Sequence, residues 1–155
     1  MNFHARESKR YFGLTPASSA REIPVTWLGG LPIAVIDRAR SAEFMINAAM
    51  ARRGLGGMPL YITSANGQVL SMCANDKETR ALFAGADLIH ADGMPLVFAS
   101  RVAGLALPER VATTDLFHDV AERAEKAGAS FYMLGATDEM ITRAVERARA
   151  RYPRL

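Results

Sequence analysis

The stretch Ala86-Asp87-Leu88-Ile89-His90-Ala91-Asp92-Gly93 decides how this chain folds. Residues 87–91 make a short, strongly apolar run that stops at a polar turn, the pattern of a buried β-strand. Working outward, Leu60-Tyr61-Ile62-Thr63 is a similar run, closed by the turn Ser64-Ala65-Asn66-Gly67. Between the two, Asn75-Asp76-Lys77-Glu78 restarts a helix with the spacing of a capping box. Beyond the first run, Pro95 to Val102 reads as a helix, since proline is tolerated in a first turn. Thr114 then caps a helix with Leu116, Phe117, Val120, Ala121 and Ala124 on one face, ending near Gly128. Ser130 to Leu134 reads as a third strand, closed by Gly135, and a last helix runs from about Thr137 to Arg151. Asp138 and Glu139 suit its positive end.

Towards the amino end, Val25 to Leu28 and Pro32 to Ile36 are β-favouring runs split by Gly29-Gly30, which predicts a small strand pair or a bent strand. From Ser41 apolar positions recur at helical spacing as far as Gly54. Residues 1–24 are polar and broken by charges, and read as a loosely ordered leader with no signal-peptide core. Strands alternating with helices imply right-handed crossovers, so the expected class is α/β, a Rossmann-like parallel sheet with helices on both faces. Three core strands make a thin sheet. The alternation breaks off after Tyr152-Pro153, so residues 25–155 are expected to be the N-terminal part of a larger domain. The bare sheet edge that follows from this would favour homo-oligomers or aggregation.

Composition narrows the function. With 155 residues, half of them hydrophobic, the chain can bury one core. A net charge of +3 permits contact with phosphates or anionic lipid. Lys and Arg do not alternate with aromatics, so nucleic acid is not an expected partner. Cys73 is the sole cysteine, which excludes an internal disulfide and fits a reducing compartment; it reads as a small buried hydrophobe. No apolar stretch is long enough to span a bilayer, which allows at most attachment to a membrane surface.

Chemistry in such a sheet belongs beyond the carboxyl ends of the strands. Three turns are expected there: Ser64-Ala65-Asn66, Asp92-Gly93 and Gly135-Ala136-Thr137. Each leads into a helix whose free N–H groups suit a diphosphate. Asp92 is the first candidate, because a carboxylate at a dry cleft edge can act as general base on a hydroxyl. Spacing alone equally describes, and rather favours, an ordinary cap of the following helix. Asn66 and Ser64 carry the same ambiguity, and His90 reads better as structural than as catalytic. The glycines at 54, 56 and 57 follow a helix and precede a strand, the reverse of a dinucleotide fingerprint. No Walker A run, Asp-X-Asp pair or zinc-spaced His/Cys group occurs, so neither metal nor cofactor is expected.

The residues also resemble a known family. Residues 61–70, Tyr-Ile-Thr-Ser-Ala-Asn-Gly-Gln-Val-Leu, are similar to the Thr-X-Asn segment of the WecG/TagA/CpsF glycosyltransferases. Residues 86–93 resemble that family's DG motif, and Glu109-Arg110-Val111 with Asp115-Leu116 resembles its "ERV.G.DL". Phe131 to Gly135 and Arg151-Tyr152-Pro153 match two further landmarks, so the likeness runs in order from about Val25 to Leu155. It implies an inverting, metal-independent transfer of N-acetylmannosamine or a related sugar. The donor would be a UDP-sugar and the acceptor a polyprenyl-diphosphate-linked sugar, at the cytoplasmic face of the membrane. It implies Asp92 as base with Ser64 as its hydroxyl partner, Thr63 being the less favoured hydroxyl. Asn66, Gly93 and Arg110 would be substrate-binding; Gly135 and Thr137, from the turn reading above, would serve the nucleotide.

Two departures stand out. Thr113 occupies the glycine position of "ERV.G.DL", and family members continue beyond "YP". Two other classes therefore compete: a nucleotide-binding module without catalysis, and a partner- or lipid-binding protein using Arg143, Arg147, Arg149, Arg151 and Arg154. The second is the weaker, because such a helix face is usually just solvated.

Overall fold

The computed structural model describes residue 20 and residues 22–56, 58–104 and 107–155. Most of the predicted leader, and Gly57 of the glycine cluster, lie outside the described residues. Val25–Leu28 (β1) and Leu31–Ala34 (β2) pair antiparallel, Leu28 opposite Leu31. Gly29 and Gly30 both take positive φ, 56° and 81°, as a two-residue hairpin turn matched to strand twist demands. The first helix, α1, spans Arg38–Ala51 and is capped by Asp37, whose carboxylate accepts from the Arg40 N–H. It thus begins three residues before Ser41, where the apolar spacing starts.

The central unit is parallel. β3 (Ile62–Ala65) pairs with β4 (Leu88–Ala91) in the register Ile62 to Leu88, Ser64 to His90 and Ala65 to Ala91. Two helices lie between these strands, α2 (Gly67–Asn75) and α3 (Lys77–Ala84). After β4 come α4 (Met94–Val102), α5 (Thr113–Ala127) and α6 (Asp138–Arg151). The class is α/β with a parallel crossover, as expected.

Period-two alternation splits the core between the two faces of this pair. Ala65, Ile89 and Ala91 pack with Leu31 and Ile33 of β2, Cys73 of α2 and Leu96 of α4. Leu88 and Ile62 face the other way, towards Ala34, Ile36 and Phe44 of α1. β2 packs alongside β4. A separate cluster joins α1 to α5 through Ala42, Ile46, Leu116, Val120 and Ala124. Cys73 is fully buried, and burial raises its thiol pKa, so it behaves as the small hydrophobe its surroundings suggest.

Three sequence expectations are corrected. The first concerns β3, which lies two residues later than expected, so Ser64 and Ala65 belong to the strand and only Asn66 to the turn. Secondly, α5 begins at Thr113 with Ala112 at its cap position, so Thr114 is not the cap. Finally, Ser130 to Leu134 is not a strand. Its alternation survives, since Phe131 packs edge-on against Phe117 while Tyr132 and Leu134 are 90% and 86% exposed. Its backbone has no ladder partner among the described residues, and without one the apolar alternation cannot make a strand. Among the described residues the parallel sheet therefore has two strands rather than three.

Candidate active site

Parallel pairing brings the carboxyl ends of β3 and β4 side by side. The Asp92 N–H donates to the Ala65 carbonyl at 2.9 Å, continuing the ladder one step past the strand. Across β4, the Val111 N–H donates to the Ala91 carbonyl at 2.8 Å and draws residues 111–113 to the same corner. Three segments far apart in sequence thus meet at one point.

Their side chains are linked. Asp92 Oδ2 accepts from the Thr113 backbone N–H at 3.2 Å and from its hydroxyl at 3.1 Å. Ser64 Oγ lies 3.0 Å from Thr113 Oγ1. Asp92 Oδ1 has no hydrogen-bond partner among the described residues. Asp92 therefore does not cap α4, the helix that follows it; Gly93 holds that position without a side-chain bond. The carboxylate reaches instead to the first turn of α5, 21 residues onward.

Asn66 Oδ1 accepts from the Val69 N–H at 3.0 Å and caps α2. Gly93 packs beside it: a Cβ on Gly93 would meet Asn66 Cβ at 3.6 Å, an ordinary contact. Asn66, Gly93 and Thr113 are the amino ends of α2, α4 and α5, so three positive helix ends converge on this corner. Such an arrangement favours an anion there. His90, in register with Ser64, lies behind the corner and is 1% exposed. Its Nε2 is buried without a partner, and desolvation lowers its pKa to about 4. It is a neutral core residue, as read from the sequence.

The remaining candidates stand apart. Thr63 alternates to the face opposite Ser64 and pairs with Ile89, so it does not join the cluster. Arg110 pairs with Asp115 at 3.6 Å, and Asp115 also meets Arg38 at 3.4 Å. With the Arg38 N–H donating to Glu109 at 2.7 Å, this network ties the start of α1 to α5, and Arg110 makes no hydrogen bond or ion pair with Asp92, Ser64 or Asn66 among the described residues. Thr137 caps α6, accepting from the Met140 N–H, and Gly135 has φ 122° in an exposed turn. Residues 130–134 do not join the sheet, and among the described residues Gly135 and Thr137 make no hydrogen bond to the Asp92 corner. Thr113 is the member that sequence reasoning missed as a site residue. Its signal was the replacement of a motif glycine by a hydroxyl-bearing residue.

A cavity of about 640 Å³ lies elsewhere, at the amino end of β3. Met45, Ala48, Leu55, Met58 and Leu60 line it and make it apolar, and it contains none of the site candidates except through the strand they share. Size does not outweigh chemistry here, because the convergent polar groups are all at the opposite end of the strand. Among the described residues no three of His, Cys, Asp or Glu are grouped to hold a metal, and no helix is long and apolar enough to cross a membrane.

Fold and corner together define an α/β protein whose candidate site lies beyond the carboxyl ends of parallel strands. The sequence model of the "Glycosyl transferase WecG/TagA/CpsF family" matches residues 26–155, and the chain belongs to that family. It is 27% identical over 93 residues to an N-acetylglucosaminyldiphosphoundecaprenol N-acetyl-beta-D-mannosaminyltransferase of Bacillus spizizenii. That match covers 60% of this chain and 36% of the relative, so the chain spans well under two thirds of the relative's length.

Proposed function

We propose that this chain carries the acceptor-activating part of an inverting glycosyltransferase of bacterial cell-surface polysaccharide synthesis. The donor is a UDP-sugar, N-acetylmannosamine or a close relative, and the acceptor a polyprenyl-diphosphate-linked sugar presented at the inner face of the cytoplasmic membrane. Family membership and the activity of the Bacillus relative support the reaction class. The observation that carries the site assignment is the Asp92 carboxylate at the end of β4, with one oxygen held by Thr113 and the other without a hydrogen-bond partner among the described residues.

The chemistry requires little else. Oδ1 of Asp92 takes the proton of the acceptor hydroxyl as that oxygen bonds to the anomeric carbon. The bond from that carbon to the diphosphate breaks on the opposite face, and UDP leaves with the bonding pair. Asn66, Gly93 and Ser64 shape the acceptor side, and the helix amino ends at Asn66 and Gly93 favour the acceptor's own anionic diphosphate. Arg110 enters only if it exchanges Asp115 for substrate. Gly135 and Thr137 are assigned to the nucleotide because their turn leads into the amino end of α6, whose free N–H groups suit a diphosphate. The residues present offer charge stabilisation without a metal, so the reaction is proposed to be metal-independent.

The test is product formation. Incubating the protein with UDP-N-acetylmannosamine and an N-acetylglucosamine-diphospholipid should give the disaccharide lipid, with inverted anomeric configuration by NMR and a rate unchanged by EDTA. UDP binding by calorimetry with no transfer under any condition would favour the non-catalytic nucleotide-binding module instead.

A further inference from the structure

The hydroxyl of Thr113 lies between the Asp92 carboxylate and the Ser64 hydroxyl, two groups that the reaction uses. It donates to Asp92 Oδ2 at 3.1 Å and sits 3.0 Å from Ser64 Oγ. A hydroxyl has one proton. With that proton given to Asp92, the contact with Ser64 is satisfied only when Ser64 donates to Thr113 Oγ1. The direction of the chain is therefore fixed: Ser64 to Thr113, Thr113 to Asp92. The backbone N–H of Thr113, 3.2 Å away, donates to the same Oδ2. Two donors on one carboxylate oxygen leave Oδ1 as the open one.

We propose that Thr113 is a positioning residue: it fixes the rotation of the Asp92 carboxylate so that Oδ1 faces the acceptor hydroxyl, and it is the link through which Ser64 acts. Ser64 makes no direct hydrogen bond to Asp92, so its influence on the carboxylate passes through Thr113. A glycine at this position would keep the N–H bond but lose both hydroxyl bonds, leaving the carboxylate free to turn about its χ2, which is a soft torsion. The α5 helix supplies the rigidity. Thr113 is its first residue, and Leu116, Val120 and Ala124 anchor the helix in the core shared with α1.

The inference rests on the reading of Asp92 as base, and the test separates the two. Thr113→Val removes the hydroxyl while keeping branching and the N–H; Thr113→Ser keeps the hydroxyl. With donor saturating, Thr113→Val should lower kcat by about 10–100-fold, the scale of a misplaced reacting group, with donor KM unchanged. Thr113→Ser should restore turnover to within about threefold, since its hydroxyl makes the same bonds. Wild-type kcat in Thr113→Val, or equal losses in Val and Ser, overturns the proposal while Asp92→Asn remains inactive. If Asp92→Asn turns over normally, the base reading itself has failed. The Thr113–Asp92 link is then judged by melting temperatures of Thr113→Val, Asp92→Ala and the double variant. That cycle also decides the link if the protein shows no turnover. Coupled groups predict a double-variant loss about 2–4 °C smaller than the sum of the single losses. Strict additivity overturns the link.

Discussion

Asp76 and Asp92 look alike in the sequence: each is an aspartate immediately ahead of a helical stretch. The structure uses them in opposite ways. Asp76 caps its own helix, α3, accepting from the N–H groups of Glu78 and Thr79 and from the Thr79 hydroxyl, and it is solvent-exposed. Asp92 follows a strand buried along its whole length, leaves its own helix uncapped and reaches across to α5. A local cap needs only the next three residues, so sequence spacing predicts it well. A carboxylate spared from that duty and held by a distant segment is in place for chemistry, with one oxygen open. Spacing around Asp92 favoured the cap; tertiary placement decides against it.

The two regions should also differ in what holds them. Ile89 packs in the core beneath Asp92, 1% exposed, so Ile89→Ala should destabilise the protein by about 2–5 kcal/mol in urea unfolding. A cost below that range would mean that the β4 corner is not the rigid one.

Acid should affect the two regions in separate windows. The unfolded chain protonates His90 near 6.5, whereas burial holds the folded group neutral down to about 4. Between those values the unfolded state binds more protons, so stability falls as pH falls, by roughly 3 kcal/mol in all. Urea midpoints measured from pH 7 to 4 should show this loss in wild type and not in His90→Leu.

The contribution of Asp76 responds at lower pH. Hydrogen bonds from Thr79 and Glu78 hold its pKa below the ordinary 3.8, so its cap is fully present above that value and fades as pH falls through the folded one. Asp76→Ala should therefore melt below wild type at pH 7 and converge with it as pH falls below 3.8 and through the folded value. Smallest of all, Leu82→Ala on α3 should change stability by less than about 0.5 kcal/mol, because Leu82 is 68% exposed and α3 buries no residue.

Much of this was legible in the sequence, and the limits have physical causes. Several features came through: the Gly29-Gly30 turn, the helix restart at 75–78 (though Asp76, not Asn75, caps it), the parallel β3–β4 pair and the boundaries of α6. Ser130 to Leu134 did not, because apolar alternation reports propensity and a strand also needs backbone partners. Here Phe131 finds an aromatic neighbour while Tyr132 and Leu134 stay in solvent. Ser64 and Asp92 were brought together as the family resemblance implied, but the bridge was invisible. It depends on Val111 bonding to the edge of β4, a contact 20 residues long in sequence that no local pattern encodes. Thr63 and Ser64 were separable only once the register was known, since a shift of one residue exchanges their faces.

The central claim is that Asp92 acts as a base, and a paired comparison of asparagine variants tests it most directly. Asn accepts a hydrogen bond from the Thr113 N–H much as Asp does but cannot take up a proton. Transfer from UDP-N-acetylmannosamine to the diphospholipid acceptor would be measured beside melting curves for wild type, Asp92→Asn and Asp76→Asn. The account predicts a fall of about 10²–10⁴-fold in turnover for Asp92→Asn, with a nearly unchanged melting temperature and UDP affinity. Asp76→Asn should turn over normally. Near-normal transfer by Asp92→Asn would contradict the account and reduce Asp92 to a long-range helix cap.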